Sequence, residues 1–157
     1  MIRPDGFRGA AFGTAAEGDV RRDATRRADM ALQLGIPADW AYVHQVHSAK
    51  TMVADRPGEL GDADAIVVTV SGLPVTVATA DCIPVIIEGD RGAAVVHAGW
   101  RGIVAGVIPA ALEVMAASGV TPRRAAIGSG IGPCCYEVGD DVASELPAHA
   151  ARRHGGL

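Results

Sequence analysis

The sequence predicts an α+β fold, a strand-rich middle flanked by helical segments. Two observations carry this. Six short runs rich in Val, Ile and Thr fall between Ala41 and Ala98, each bounded by Gly, Pro or Asp. On either side of them, apolar residues recur at three-to-four spacing, the period of a helix with one buried face. The length, 157 residues, accommodates one domain with a substantial core.

The elements follow in order. Asp19 to Leu34 reads as a helix, with Asp19 as its cap, Met30, Ala31 and Leu34 on one face, and Gly35 then Pro37 as its stop. The strand candidates are Ala41–Val46, Thr51–Ala54, Ala65–Val70, Val75–Ala80, Val85–Glu88 and Ala93–Ala98. Ile103 to Ser118 is helical, with Pro109 kinking it or starting a second segment. Ala125–Ile127 is a further strand and Asp140–Leu146 a short terminal helix. Nothing marks a linker, a repeat or a low-complexity tract, so residues 1–157 are read as one domain.

Composition narrows the function classes. Apolar residues make up 49% and charged residues 20%, ordinary globular usage that excludes wholesale disorder. The net charge of −4 and the 4% aromatic content argue against a nucleic-acid partner, which would need a basic surface or stacking rings. No apolar run reaches the roughly 18–20 residues of a membrane helix, so no membrane partner is expected. Met1 to Gly13 carries Arg3, Asp5 and Arg8 and lacks the apolar stretch of a secretory signal; a cytoplasmic location is expected. Lys50 is the one lysine, a compositional bias that says little about function. The three cysteines, Cys82, Cys134 and Cys135, are too few for a disulfide scaffold, and adjacent cysteines rarely pair with each other.

Three metal-capable side chains lie in or beside strand candidates: His47, Cys82 and His97. Two imidazoles and a thiolate suit zinc, and three protein ligands leave a fourth position open for chemistry. Copper accepts the same donors. A second reading uses the same residues, with Cys82 as a nucleophile and His97 as its base. Spacing alone does not separate the two.

The phrases that hold these residues are Gln45-Val46-His47, Asp62-Ala63-Asp64-Ala65, Ala80-Asp81-Cys82-Ile83-Pro84, His97-Ala98-Gly99-Trp100-Arg101-Gly102 and Ile131-Gly132-Pro133-Cys134-Cys135-Tyr136-Glu137-Val138-Gly139. Together they resemble the YfiH family, whose members are also called laccase-domain or multicopper polyphenol oxidase proteins. The resemblance runs from about Gly35 to Val142. It implies a layered α/β/β/α sandwich related to cysteine hydrolases of the bacterial-toxin type, which is why the dyad reading looks equally natural. It implies that His47, Cys82 and His97 bind a metal, zinc first and copper as the alternative. It implies activity on purine nucleosides, by phosphorolysis of adenosine, inosine, guanosine or methylthioadenosine or by deamination of adenosine, with the nucleoside and phosphate as small-molecule partners. A bacterial relative is linked to peptidoglycan-precursor editing. Members usually continue past the Glu-Val-Gly phrase, so the chain is expected to lack the family's C-terminal segment.

Further candidates follow from what that chemistry needs. Phosphorolysis needs a cationic phosphate site, for which Arg101 is the candidate, because a guanidinium meets phosphate in a bidentate way. Asp64 is the candidate general acid/base and Glu137 the second. Their ordinary alternatives are a turn cap for Asp64 and a structural ion pair for Arg101. The His-x-Glu and Pro-Cys-x-x-Cys signature of cytidine deaminases is absent, so a deaminase here would use another frame. Gly99, Gly102, Gly128, Gly130 and Gly132 are read as permitting turns and close backbone approach. Trp100 is read as a pocket wall or core residue, Cys134 and Cys135 as buried thiols, and His44 as a surface histidine or spare ligand.

Five histidines, His44, His47, His97, His149 and His154, are few for a multicopper oxidase, which needs a one-electron site and an oxygen-reducing cluster. Nucleoside chemistry therefore ranks above phenol oxidation. A noncatalytic member that keeps the fold is the third reading.

Overall fold

A computed structural model describes residues 1–7 and 9–147; the tail carrying His149, Arg152, Arg153 and His154 lies outside the described residues. In chain order the elements are α1 (Ala24–Leu34), β1 (Ala41–His44), β2 (Thr51–Ala54), β3 (Gly58–Asp62), β4 (Ala65–Val68), β5 (Val75–Thr76), β6 (Ile83–Gly89), β7 (Ala93–Ala98), α2 (Trp100–Val104), α3 (Val107–Ala117), β8 (Pro122–Ile127) and α4 (Asp140–Ala143).

The strands form two sheets. The smaller has the order β3-β1-β5 and is parallel throughout. The larger has the order β2-β4-β7-β6-β8, with β2 parallel to β4 and the remaining pairs antiparallel. Period-two alternation then sorts the core into two layers. Along β4, Ala65 and Val67 pack with Val107, Ala111 and Met115 of α3, while Ile66 and Val68 pack with Ala41 and Val43 of β1. β7 repeats this, with Ala94 and Val96 toward α3 and Val95 toward the smaller sheet. β4 is buried at all four positions because both faces are covered. On the outer side of the smaller sheet, Met30 and Ala31 of α1 pack with Trp40, and the Arg27 guanidinium lies 6.0 Å from the Tyr42 ring centre. The layers therefore run helix, sheet, sheet, helix, as the family resemblance implies.

Several boundaries differ from the sequence reading, each for a local reason. α1 starts at Ala24, and its cap is Asp23, whose carboxylate accepts from the N–H groups of Thr25 and Arg26. Asp19 is occupied elsewhere, taking the N–H of Arg21 at 3.0 Å and its guanidinium at 3.1 and 3.0 Å. The stretch read as helical over Ile103–Ser118, with Pro109 kinking it or starting a second segment, is two helices, the second starting at Val107. Gly106, in the left-handed region at φ 84°, separates α2 from α3. Pro109 falls in the first turn of α3, where its missing N–H has no helical partner to lose, so it does not kink the helix. β3 was not expected, β5 shrinks to two residues, and α4 to four.

Candidate metal centre

Three strand ends deliver the centre. The antiparallel register pairs Ile83 with Ala98 and Pro84 with His97, which sets Cys82, one residue before β6, beside Gly99. Asp64 immediately precedes β4, and its carbonyl accepts the N–H of His97 at 2.7 Å. His47 sits in the loop after β1. The donor atoms of His47, Cys82 and His97 all lie within 4.8 Å of one another. Cys82 Sγ is 3.9 Å from His47 Nε2, close to the roughly 3.6 Å that a thiolate and an imidazole nitrogen keep on one tetrahedral zinc. The imidazoles of His47 and His97 meet edge to face, with centroids 4.8 Å apart. His97 is buried, Cys82 half-buried and His47 exposed, so the group opens to solvent on the His47 side.

Asp64 organises the centre. Its carboxylate accepts the N–H groups of Val46, His47 and Ser48 at 3.3, 3.0 and 2.6 Å, and the Ser48 hydroxyl at 2.9 Å. His97 Nδ1 completes the set at 2.8 Å. Three successive N–H groups converging on one anion make a backbone nest. The nest forces His47 to φ 59°, a left-handed conformation that a non-glycine residue adopts at a cost of order 1–3 kcal/mol and that clusters at functional sites.

Electrostatics follow from this packing. Burial works against ionisation of Asp64, but the hydrogen bonds from His97, Ser48 and His47 outweigh it and hold the carboxyl below its ordinary range. Burial lowers the basicity of His97 despite the adjacent carboxylate. The result is an ionised Asp64 beside a neutral imidazole. A neutral His97 donates from Nδ1 to Asp64 and leaves the Nε2 lone pair free, the state a metal ligand needs. Burial, then the charges of Asp81 and Asp64, push the Cys82 thiol up, so ionisation of the thiol calls for a cation at the centre.

A second support comes from Arg21 and Gln45. The Arg21 guanidinium, held by Asp19, donates to Gln45 Oε1. That same oxygen accepts the N–H of Ala78 at 2.9 Å, and Gln45 Nε2 donates to the Ala78 carbonyl at 2.7 Å. This clamps the strand exit that leads to His47. Gln45 lies in a quoted motif; Arg21 carries no sequence signal, and Ser48 none beyond its place after His47.

The structure brings His47, Cys82, His97 and Asp64 together. The sequence reading gave Asp64 to proton transfer; here the side chain is 0% exposed and both oxygens are committed to donors of the chain. Arg101 is exposed in α2, its guanidinium 4.3 Å from the centre of the half-buried Trp100 ring, with no carboxylate partner among the described residues. Glu137 is exposed on the segment after β8 and makes no side-chain hydrogen bond among the described residues. His44 is a surface histidine, its Nδ1 2.8 Å from Asp62. Cys134 and Cys135 are exposed, not buried.

An α/β/β/α sandwich that gathers two imidazoles and a thiol at three strand ends, with a buried carboxylate behind one imidazole, defines a protein built around a metal-capable centre. The family model described as multi-copper polyphenol oxidoreductase laccase matches residues 4–155, and the chain belongs to this family, the YfiH or laccase-domain proteins. A protein named purine nucleoside phosphorylase in Streptomyces coelicolor is 39% identical over 144 residues, covering 85% of this chain and 59% of that protein. One named adenosine deaminase, from an unknown prokaryotic organism, is 35% identical over 139 residues, covering 79% of this chain and 53% of that protein. The crystal structure of YlmD from Geobacillus stearothermophilus superposes with a TM-score of 0.73 at 25% identity, covering 92% of this chain and 59% of that one. The chain thus spans little more than half the length of these relatives. No helix among the described residues is long and apolar enough to cross a membrane.

Proposed function

We propose that this chain works in a zinc-dependent purine nucleoside enzyme, one that carries out phosphorolysis of adenosine, inosine or methylthioadenosine and deamination of adenosine in the cytoplasm. The observation that carries the reading is the convergence of His47, Cys82 and His97, backed by Asp64. The donors fit a zinc ion in kind and in separation, and the names of the relatives supply the substrate class. A zinc ion held there supplies a Lewis acid that polarises a substrate or water oxygen.

The chain's own residues divide the remaining work. Asp64 is a positioning residue: it keeps His97 in one tautomer and fixes the loop that presents His47. Arg101, exposed and without a carboxylate partner among the described residues, offers its guanidinium to phosphate. Stacking on Trp100 restricts the guanidinium and reduces the entropy lost when it engages an anion. Glu137 is the exposed carboxylate that moves a proton to or from the purine ring.

The test is metal content by elemental analysis, with and without Cys82→Ala, alongside chromatography of products from adenosine with and without phosphate. Zinc bound by the wild type and lost in the variant, with phosphate-dependent release of adenine or formation of inosine lost in parallel, is the expected result. The absence of both free base and inosine at every metal loading overturns the reading. A copper-dependent phenol oxidase is the second reading, favoured by a donor set that copper also accepts. It requires oxygen-dependent turnover of phenols that scales with bound copper.

A further inference from the structure

Two of the three cysteines take no part in the metal centre or in any core cluster. Cys134 and Cys135 sit side by side on the segment after β8, both free and exposed, with Sγ atoms 3.1 Å apart. A turn presents them: the N–H groups of Cys135 and Tyr136 both donate to the Gly132 carbonyl, at 3.0 and 3.1 Å. The turn is anchored to the loop of Cys82, because Ile131 donates its N–H to the Asp81 carbonyl at 2.8 Å.

Two exposed thiols this close can close a disulfide or hold one thiophilic atom between them. Neighbouring Cα atoms are about 3.8 Å apart across a trans peptide, short of the roughly 4.4–6.8 Å that a bridge spans, and the sulfurs would have to contract to about 2.05 Å. A shared atom needs no such contraction. On a tetrahedral ion such as zinc two thiolate sulfurs sit roughly 3.8 Å apart. A pyramidal trivalent centre, with narrower angles between its bonds, brings the sulfurs closer than that, toward the separation seen here.

We propose that Cys134 and Cys135 form a second ligand site, separate from His47, Cys82 and His97, that chelates trivalent arsenicals. With an organoarsenic(III) oxide, two S–As bonds form and two S–H bonds break. The oxide oxygen leaves as water, taking both thiol protons, and arsenic stays trivalent, so no oxidant or reductant is needed. Cys82 is a single thiol whose sulfur neighbours His47 Nε2 at 3.9 Å, and it offers no second sulfur to close a ring.

The experiment treats the reduced chain with one equivalent of phenylarsine oxide in excess monothiol and reads intact mass. A single adduct is expected, surviving monothiol and released by a dithiol. It persists in Cys82→Ala and is lost in Cys134→Ser and in Cys135→Ser, whose circular dichroism matches wild type because both side chains are exposed. No adduct on the wild type, an adduct that survives in either serine variant, or one that disappears in Cys82→Ala overturns the proposal.

Discussion

The Nδ1 atom of His97 lies 2.8 Å from Asp64 Oδ1, the pair having side-chain exposures of 4% and 0%. Between them they join the larger sheet to the loop of His47, since the same carboxylate takes three backbone N–H groups from residues 46–48. Asp64→Ala leaves those donors and the imidazole unpartnered in a dry site. A buried donor left without its acceptor costs about 1–3 kcal/mol, and removing the carboxylate behind a metal-binding histidine costs about 10–100-fold in metal affinity. Urea denaturation and metal titration check the two losses. Asp64→Asn, which retains an acceptor, is expected to recover part of the stability and less of the affinity.

Gly99 makes the opposite case, a change that spares the fold and damages the site. Its φ is −75°, open to any residue, so the backbone does not resist alanine. The space does. A Cβ there would stand 2.7 Å from His47 Cδ2 and 3.2 Å from Cys82 Sγ, so one of these two side chains must move. Gly99→Ala is expected to keep the wild-type circular dichroism spectrum and lose most of its metal by elemental analysis. Full metal occupancy in that variant would show that the ligands tolerate displacement.

Which parts of this were legible in the sequence depends on where the signal lay. Thr51–Ala54 and Ala93–Ala98 were read with their observed bounds because β-branched runs are bounded there by turn residues. β3 was invisible: Gly58-Glu59-Leu60-Gly61-Asp62 has two glycines, two acids and one aliphatic residue, and it becomes a strand only because β1 offers it a partner. His47 and Cys82 are 35 residues apart, so no local spacing links them; the motif phrases did. The role of Asp64 could not be read at all. A short acidic phrase between strand candidates looks like a turn cap or a catalytic carboxylate, and only the fold shows three N–H groups of another loop aimed at it.

Met115 separates stability from the site. It is fully buried in α3, packed among Val107, Ala111 and the helix-facing residues of β4 and β7. Met115→Ala removes apolar volume from a core with no solvent access, and such truncations cost about 2–5 kcal/mol. The midpoint of denaturation should fall by that measure while metal content per folded molecule stays unchanged. A parallel loss of metal would mean that α3 positions the centre as well as covering the sheet.

Glu17 provides a pH dependence that does not involve the centre. The Thr14 N–H donates to its carboxylate at 2.6 Å and the Thr14 hydroxyl at 2.8 Å, with the Met1 amine at 3.2 Å. These bonds, the Thr14 backbone first, lower its pKa from 4.5 to about 2. A carboxyl with a lower pKa in the folded than in the unfolded chain binds fewer protons when folded. Its contribution is therefore complete above pH 4.5 and is lost as the pH falls from there to about 2. Glu17→Gln removes the charge at every pH. The wild type should melt above the variant at pH 6, and the gap should close progressively between pH 4.5 and about 2. A gap that stays constant through that window would mean that the carboxylate is not ionised in these bonds, and that the loop is held by Thr14 geometry alone.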